Sequence, residues 1–531
     1  MKFGFIIDNR KCIGCHACTV ACKAEHDVPI GVNRTWVKYV EKGEFPNTRR
    51  LFSVMRCNHC EDAPCVEICP VTALFTRDDG IVDFDNRRCI GCKACIQACP
   101  YDALYIDPNT DTAAKCNYCA HRVDIGLEPA CVNVCPVHAI ISGDMDDPLS
   151  EITQLLAREQ VTVRKVEKGT RPKLFYIDGD DASLNPASTE QSSNYMSSSQ
   201  STGVGHFAKY AEERISQSDP EKMAQQLAGP STQKIISKAE EVVKEAQRVY
   251  DVPDKGVVWG WEVSAYVWTK AVATGAFLVP FLAMAFGAAP VQNIIQWSGL
   301  ALGLIFLAIT GGLLIKDLDK PARFAYILLR PQWRSWLVRG GYAIGIYGGL
   351  LTLCGVAKLL GWTSILTPAA WASAIFAAIT AVYTAFLFAQ AKGRDFWQSP
   401  TLSLHMLVHA VMAGTAAFAV LGLFLSVEET WVRFLKIVFY SSIAFNLLII
   451  TVEMLTAHPT ADSRKVVGMI VSGQFSRLFW LGTLLAGNLA PLVLIWLGGS
   501  AFFAAAGVLV LTGVYITEHI WVRAPQLIPL S

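Results

Sequence analysis

Sixteen of the seventeen cysteines lie between Cys12 and Cys135, in four runs. The first is Cys12, Cys15, Cys18 and Cys22. The second is Cys57, Cys60, Cys65 and Cys69, followed by Pro70. The third is Cys89, Cys92, Cys95 and Cys99, followed by Pro100. The fourth is Cys116, Cys119, Cys131 and Cys135, followed by Pro136. The first and third runs have the spacing C-x2-C-x2-C-x3-C; the second widens one gap to x4 and the fourth to x11. An iron–sulfur cubane needs four thiolates around a small inorganic core. A tight loop delivers three from one side, while the fourth cysteine opens the next element, points the other way and ligates another cluster. Runs therefore work in pairs, and four runs predict four [4Fe–4S] clusters.

Other cysteine chemistry fits less well. Disulfides need an oxidising compartment, and no signal peptide precedes Cys12. Structural zinc takes four ligands per site from paired C-x2-C hooks, which leaves the third and fourth cysteines of each run unexplained. Cys12-Ile13-Gly14-Cys15-His16 has the form of a c-type haem attachment sequence, but Cys18 and Cys22 continue the cluster spacing.

Those loops must be held by something, and the 531 residues divide into three parts. Residues 1–181 are polar and cysteine-rich, with short strand-prone stretches such as Lys2–Ile7 and Gly80–Phe84 between the cysteine loops. They predict an α+β double ferredoxin-like domain whose clusters replace much of a conventional core, so that loss of iron unfolds it. Residues 182–255 begin as a Ser-rich linker. They continue as two charged helical patterns, Phe207–Ala228 and Thr232–Val249, with a solvated face. Residues 256–531 are mostly apolar runs of membrane-spanning length. Eight spans are expected: Val263–Phe286, Ile294–Ile315, Val338–Leu360, Ala369–Ala391, Leu404–Ser426, Val432–Leu455, Phe475–Leu497 and Ser500–Val522. The fold class is thus the cluster domain plus an all-α membrane domain of eight transmembrane helices. The net charge of +1 argues against a nucleic-acid partner.

An even number of spans puts both ends of the membrane region on one side. The loops of that side carry Lys255, Lys316, Lys320, Arg323, Arg330, Arg334, Arg339, Lys392, Arg394, Arg464, Lys465, Arg477 and Arg523. The other side has little beyond Lys358, Arg433 and Lys436. The positive-inside rule places the first set, and with it the cluster domain, in the cytoplasm of a prokaryote, against its inner membrane. Ionisable residues in membrane helices are costly and usually functional, and here they gather toward the cluster side. A quinone needs an apolar slot, hydrogen-bonding partners and proton carriers near a cluster. Trp261, Glu262, Tyr266, Lys270, Asp317, Arg323 and His405 are the candidates. His405 and His409 share one helix face and cannot be opposed axial ligands of one haem, so no haem is expected. Lone Cys354 reads as a small buried hydrophobe.

Two segments resemble known subunits. Lys115-Cys-Asn-Tyr-Cys-Ala-His-Arg, followed by Glu128-Pro-Ala-Cys-Val and Cys135-Pro, resembles the four-cluster electron-transfer subunit of the dimethyl-sulfoxide-reductase family of molybdopterin oxidoreductases. Trp259-Gly-Trp-Glu-Val, Asp317-Leu-Asp-Lys-Pro-Ala-Arg-Phe and Leu329-Arg-Pro-Gln-Trp-Arg-Ser resemble the NrfD-like membrane subunit of polysulfide reductases. The first resemblance implies crossed ligand sets: Cys12, Cys15, Cys18 with Cys135; Cys116, Cys119, Cys131 with Cys22; Cys57, Cys60, Cys65 with Cys99; Cys89, Cys92, Cys95 with Cys69. Together they imply an electron-transfer and membrane-anchor subunit that links a molybdenum or tungsten bis-pterin subunit to membrane quinone or quinol, menaquinone or ubiquinone. Alternatives are the same conduit serving a hydrogenase or multihaem cytochrome, or an iron–sulfur redox sensor. Anaerobically isolated protein is expected to hold about sixteen irons per molecule, with low-temperature paramagnetic signals after dithionite; far fewer irons and no signals would refute the cluster reading.

Overall fold

The computed structural model describes residues 1–43, 47–186, 188–191, 246–252 and 255–531. Among them the strands run in sequence order as β1 (Phe3–Asp8), β2 (Thr35–Lys42), β3 (Arg49–Arg56), β4 (Leu74–Thr76), β5 (Val82–Phe84), β6 (Leu104–Asp107), β7 (Thr112–Lys115), β8 (Ile140–Asp144), β9 (Val161–Thr162), β10 (Leu174–Ile177), β11 (Glu190–Gln191) and β12 (Gln247–Tyr250). One four-stranded sheet has the order β8-β1-β10-β9, a second β11-β12-β2-β3. β4–β5 and β6–β7 are separate two-stranded pairs beside the second and third cysteine runs.

The clusters do not stand in for a core as fully as the sequence suggests. β1 is apolar on consecutive residues because both its faces are covered. Phe5 and Ile7 pack with Trp36, Val54, Met55 and Tyr176, while Ile6 packs with Ile141, Ile152 and Ile177. The helical pattern expected to reach Val249 is also corrected at its end. Gln247–Tyr250 is a strand, antiparallel to β2 and parallel to β11, and Arg248 is buried in it. The pattern over Phe207–Ala228 lies outside the described residues, as does most of Thr232–Val249.

The third cysteine of each run sits in a short helix: Ala17–Glu25, Pro64–Ile68, Ala94–Ala98 and Ala130–Asn133. The fourth cysteine does not open the following strand. Cys69 and Cys99 cap their helices, Cys135 lies just past one, and Cys22 is inside one.

Among the described residues, eight helices are long and apolar enough to cross a membrane: Trp261–Ala285, Asn293–Lys316, Trp336–Leu359, Thr363–Gln390, Leu402–Leu421, Glu429–Leu455, Leu478–Leu497 and Ser500–Leu527. They are numbered one to eight below. Helix seven opens with wide π turns over Leu478–Leu489 just before Pro491, whose missing N–H and bulky ring a regular turn cannot accommodate. Helix one is central and packs on helices two, four, five and eight. Its crossing with helix five is backbone to backbone: a Cβ on Gly275 would collide with the Ala410 carbonyl, and one on Gly414 with Gly275 itself.

The cluster domain is tied to the membrane domain largely through main-chain carbonyls. The amides of Asp319 and Lys320 donate to the Gly91 and Ile90 carbonyls (3.4 and 3.2 Å). Gly91 has φ +69°, and a Cβ there would stand 2.7 Å from the Asp319 Cβ, so only glycine allows this approach. Arg323 Nη1 donates to the carbonyls of Asn86 and Cys89 at 2.8 Å each. Ser335 Oγ donates to Ile68 O (2.7 Å), and Arg394 Nε to Gln97 Oε1 (2.8 Å). Gly414→Leu is expected to destabilise the bundle by about 3 kcal/mol or more, seen as loss of the monodisperse detergent-solubilised species on heating; an unchanged melting profile would contradict this crossing.

Candidate functional site

The sixteen thiols gather across the runs. Burial pushes the Cys12 thiol up, and the neighbouring sulfurs of Cys135 and Cys15 push the same way. Cys12, Cys15, Cys18 and Cys135 line one small cavity. Cys22 is raised by burial and then by Cys116, Cys131 and Cys119. Cys65 is raised by burial and by Cys99, Cys57 and Cys60. Cys69, Cys89, Cys92 and Cys95 line a second small cavity. The groups also touch in sequence: Cys18 feels Cys131, Cys57 feels Cys116, and Cys95 feels Cys65. They form a file from the surface, where Cys15 is exposed, to the membrane helices.

This donor set suits iron–sulfur clusters. Sulfur-only cradles favour soft metal–sulfide cores, and backbone amides of Ala73, Ala113 and Ala139 point at Cys69, Cys89 and Cys135 (3.2, 3.4 and 3.2 Å). Arg56 adds an independent sign. Its guanidinium is fully buried, over the Phe5 ring, with Nη1 3.1 Å from Cys131 Sγ and no carboxylate paired to it among the described residues. Nε and Nη2 have no protein partner. A buried cation without a counter-ion is untenable; the thiolates of Cys131 and Cys116 in one group and Cys18 in the next, the sulfurs that act on it, supply the negative charge when they hold anionic clusters.

Where the last cysteine group meets the helices there is an apolar cavity of about 470 Å³. Cys92 lines it together with Trp259, Tyr266, Asp317, Tyr342 and Tyr383. Trp259 Nε1 donates to Cys92 O (3.1 Å), fixing the cluster loop on the cavity wall. Asp317 caps helix two. Burial pushes its carboxyl up to about 7, with Lys93 pulling down and Glu262 and Asp319 pushing up.

The seven sequence candidates occupy different places. Tyr266 and Asp317 line the cavity. Lys270 is buried one layer behind, 2.5 Å from Thr384 Oγ1 and over the Tyr383 ring. Trp261 and Glu262 lie at the start of helix one beside Lys316, which stands over the Trp261 ring (4.2 Å) and 3.7 Å from the Glu262 carboxylate. Arg323 is the strap residue described above. His405 faces away from the cavity, toward Glu453. The structure adds Cys92, Trp259, Tyr342 and Tyr383 as cavity lining. Trp259 is visible in the sequence as the head of its aromatic motif, whereas Tyr342 and Tyr383 are ordinary interfacial-looking tyrosines in helices three and four. Cys354 is buried, 3.4 Å from Ser373 Oγ.

Residues 252–529 match the family "Polysulphide reductase, NrfD", and residues 11–74 and 48–145 match two "4Fe-4S dicluster domain" families. The protein is similar to a tetrathionate reductase subunit from Salmonella typhimurium, 46% identical over 189 residues, which is 35% of this protein and 76% of that one. It is similar to a polysulfide reductase chain from Wolinella succinogenes, 44% identical over 181 residues, 33% of this protein and 94% of that one. An arsenate respiratory reductase iron-sulfur subunit from Shewanella is 33% identical over 225 residues, 33% of this protein and 96% of that one.

Arg56→Gln removes the buried positive charge. It is expected to lower the reduction potential of one cluster by on the order of 100 mV, read by redox titration of its paramagnetic signal; an unshifted titration would place the guanidinium elsewhere.

Proposed function

We infer the role from the premise that this protein belongs to the polysulphide reductase NrfD family, with an iron–sulfur electron-transfer subunit fused ahead of the family's membrane region. It is a multi-pass membrane protein, and its work is to carry electrons between a separate catalytic subunit and the membrane quinone pool. When bound, the four clusters supply one-electron transfer along the cysteine file. Their ligand sets are those in which the thiols gather: Cys12, Cys15, Cys18, Cys135; Cys22, Cys116, Cys119, Cys131; Cys57, Cys60, Cys65, Cys99; and Cys69, Cys89, Cys92, Cys95.

One observation carries the quinone reading: Cys92, in the membrane-side thiol group, lines the same apolar cavity as Tyr266 and Asp317. The cavity's aliphatic and aromatic walls suit a quinone ring and the start of its isoprenoid tail. The Tyr266 hydroxyl and the Asp317 carboxyl supply polar contacts for the ring oxygens, and Trp259 holds the cluster loop against the wall. Most of the cavity is apolar, as ligand pockets with a few convergent polar groups are.

At the other end, Cys15 is exposed, and so are Ile13, Val20 and Val134 on the segments that carry the first and fourth cysteine runs. That apolar exposure, on segments with an accessible cluster site, suits a docked catalytic subunit. The relatives are named as parts of tetrathionate, polysulfide and arsenate reductases, which supports a molybdenum or tungsten bis-pterin partner. The cation-rich loops and the cluster domain lie on one side of the bundle, which supports a cytoplasmic cluster domain on a prokaryotic inner membrane.

Gly341 lines the cavity, and a Cβ there meets only an ordinary contact with Ile327 (3.7 Å). Gly341→Phe is expected to abolish direct binding of a quinone-site inhibitor and to cut quinol-driven cluster reduction by about a hundredfold. Iron content and dithionite reduction should stay at wild-type values; unimpaired inhibitor binding would overturn the site.

A further inference from the structure

Helix five carries two histidines deep in the bundle that the cavity does not use. His405 and His409 are 1% and 0% exposed, with ring centroids 4.2 Å apart. Each presents Nδ1 to a buried carboxylate: His405 to Glu453 Oε2 at 3.1 Å and His409 to Glu518 Oε1 at 2.7 Å. An ionised carboxylate only accepts, so each Nδ1 carries the proton and each Nε2 is left basic. Neither Nε2 has a protein partner. A ring nitrogen of each histidine and an oxygen of Glu518 lie within 4.8 Å of one another. Back-to-back imidazoles of this kind take a proton at one nitrogen and release it at the other.

Both ends of this pair lead somewhere. Glu453 also accepts from Thr401 Oγ1 (2.7 Å) and Trp521 Nε1 (3.2 Å). With Thr401, Ser399, His458 and Lys168 it lines a second cavity of about 630 Å³ at the cluster-domain side of the bundle, more polar than the first and called the polar cavity below. In the other direction, Glu518 is the carboxylate that acts on the Lys270 ammonium. Lys270 Nζ is 2.5 Å from Thr384 Oγ1, and Thr384 lies beside the hydroxyls of Tyr266 and Tyr383, both in the wall of the apolar cavity. The Gly275–Gly414 crossing brings helices one and five close enough for Lys270 to share this layer with the histidines.

We propose that Lys270, Glu518, His409, His405 and Glu453 form a proton file joining the apolar cavity to the polar cavity beneath the cluster domain. The proposal rests on reading the apolar cavity as the quinone site. Reduction of one quinone takes two electrons, which arrive from the catalytic subunit through the cluster domain, and two protons. The file delivers those protons in turn. Glu453 takes each from the polar cavity and gives it to His405 Nδ1 when His405 holds its own proton on Nε2. His405 passes that Nε2 proton to His409 Nε2, and His409 releases its Nδ1 proton to Glu518. Lys270 with Thr384 and Tyr266 hands one on to a ring oxygen, each imidazole returning to its starting tautomer before the next proton. Quinol oxidation runs both flows backwards. The polar cavity is lined by residues of the cluster domain and of the loops on the same side, so protons enter and leave on the side where the electrons do.

The test uses the full complex in detergent, with clusters reduced beforehand and then mixed with quinone, their reoxidation followed optically. Glu518→Gln and His405→Gln are expected to slow reoxidation about tenfold or more and to raise its solvent deuterium effect from near one to about two or above. Direct binding of a quinone-site inhibitor and dithionite reduction should stay within about twofold. Glu518→Asp should recover part of the rate, and Thr415→Val, on the same helix outside the file, should match wild type. The protonated-carboxyl infrared band that accompanies quinone reduction should disappear in Glu518→Gln. Reoxidation within about twofold of wild type in both Gln variants, with the isotope effect unchanged, overturns the file. Loss of inhibitor binding in those variants also overturns it, because the residues would then serve the ligand or the fold. Inhibitor binding that survives Gly341→Phe instead removes the cavity reading, and this proposal with it.

Discussion

Everything in this molecule depends on how closely an electron carrier can be brought to a membrane-embedded pocket. Electron tunnelling falls steeply with distance, and a loosely tethered cluster domain would lose the contact. The protein solves this largely with hydrogen bonds to main-chain carbonyls, to which ion pairs such as Lys320–Asp111 and Lys255–Asp102 are added. The Ile90–Gly91 carbonyls accept from the loop after helix two, Arg323 clasps the Asn86 and Cys89 carbonyls, and Ser335 and Arg394 hold the loops of the second and third runs. Carbonyl acceptors cannot move without moving the cluster loop itself. Lys93, one residue past Cys92, adds a 2.9 Å ion pair to Asp319, but the geometry is already fixed by the backbone.

The second constraint is the cost of charge inside a lipid-facing bundle. His405, His409, Glu453, Glu518 and Lys270 are all nearly inaccessible. Each persists because a partner sits at hydrogen-bond range or in electrostatic reach, and because glycine at the helix crossing lets the partners meet. Arg56 obeys the same rule in the soluble part, with sulfur as its counterpart. Buried charges and cofactor cradles are thus two forms of one requirement: low-dielectric interiors hold ions only in neutralised sets.

Much of this was legible in the residues. Cysteine spacing marks the four runs, and apolar length marks eight spans whose observed ends fall within a few residues of the expected ones. One helix start shifted most: the fourth begins at Thr363 and not Ala369. Pro368, inside that helix, marks where the expected start lies, but the helix runs on through it from Thr363. The strand at Gln247–Tyr250 was hidden because Glu-, Lys- and Ala-rich sequence upstream favours helix, while pairing with β2 is a long-range effect that no local pattern carries. The cavity was half legible. Tyr266 and Asp317 flank motifs of unusual polarity, but Tyr342 and Tyr383 gain their place only when helices three and four pack. His405 stands out in the sequence for its depth on the cluster side; which way its ring turns is set by Glu453, 48 positions away.

The exposure of Cys15, set beside the burial of Cys65 and Cys95, has a practical meaning. Dioxygen and stray oxidants reach the outermost cradle long before the inner ones, so corrosion begins at one terminal. If the proposed function holds, a briefly aerated sample would keep its lipid-side redox chemistry while losing its outward connection, and would pass for an intact preparation in any assay that probes only the membrane end.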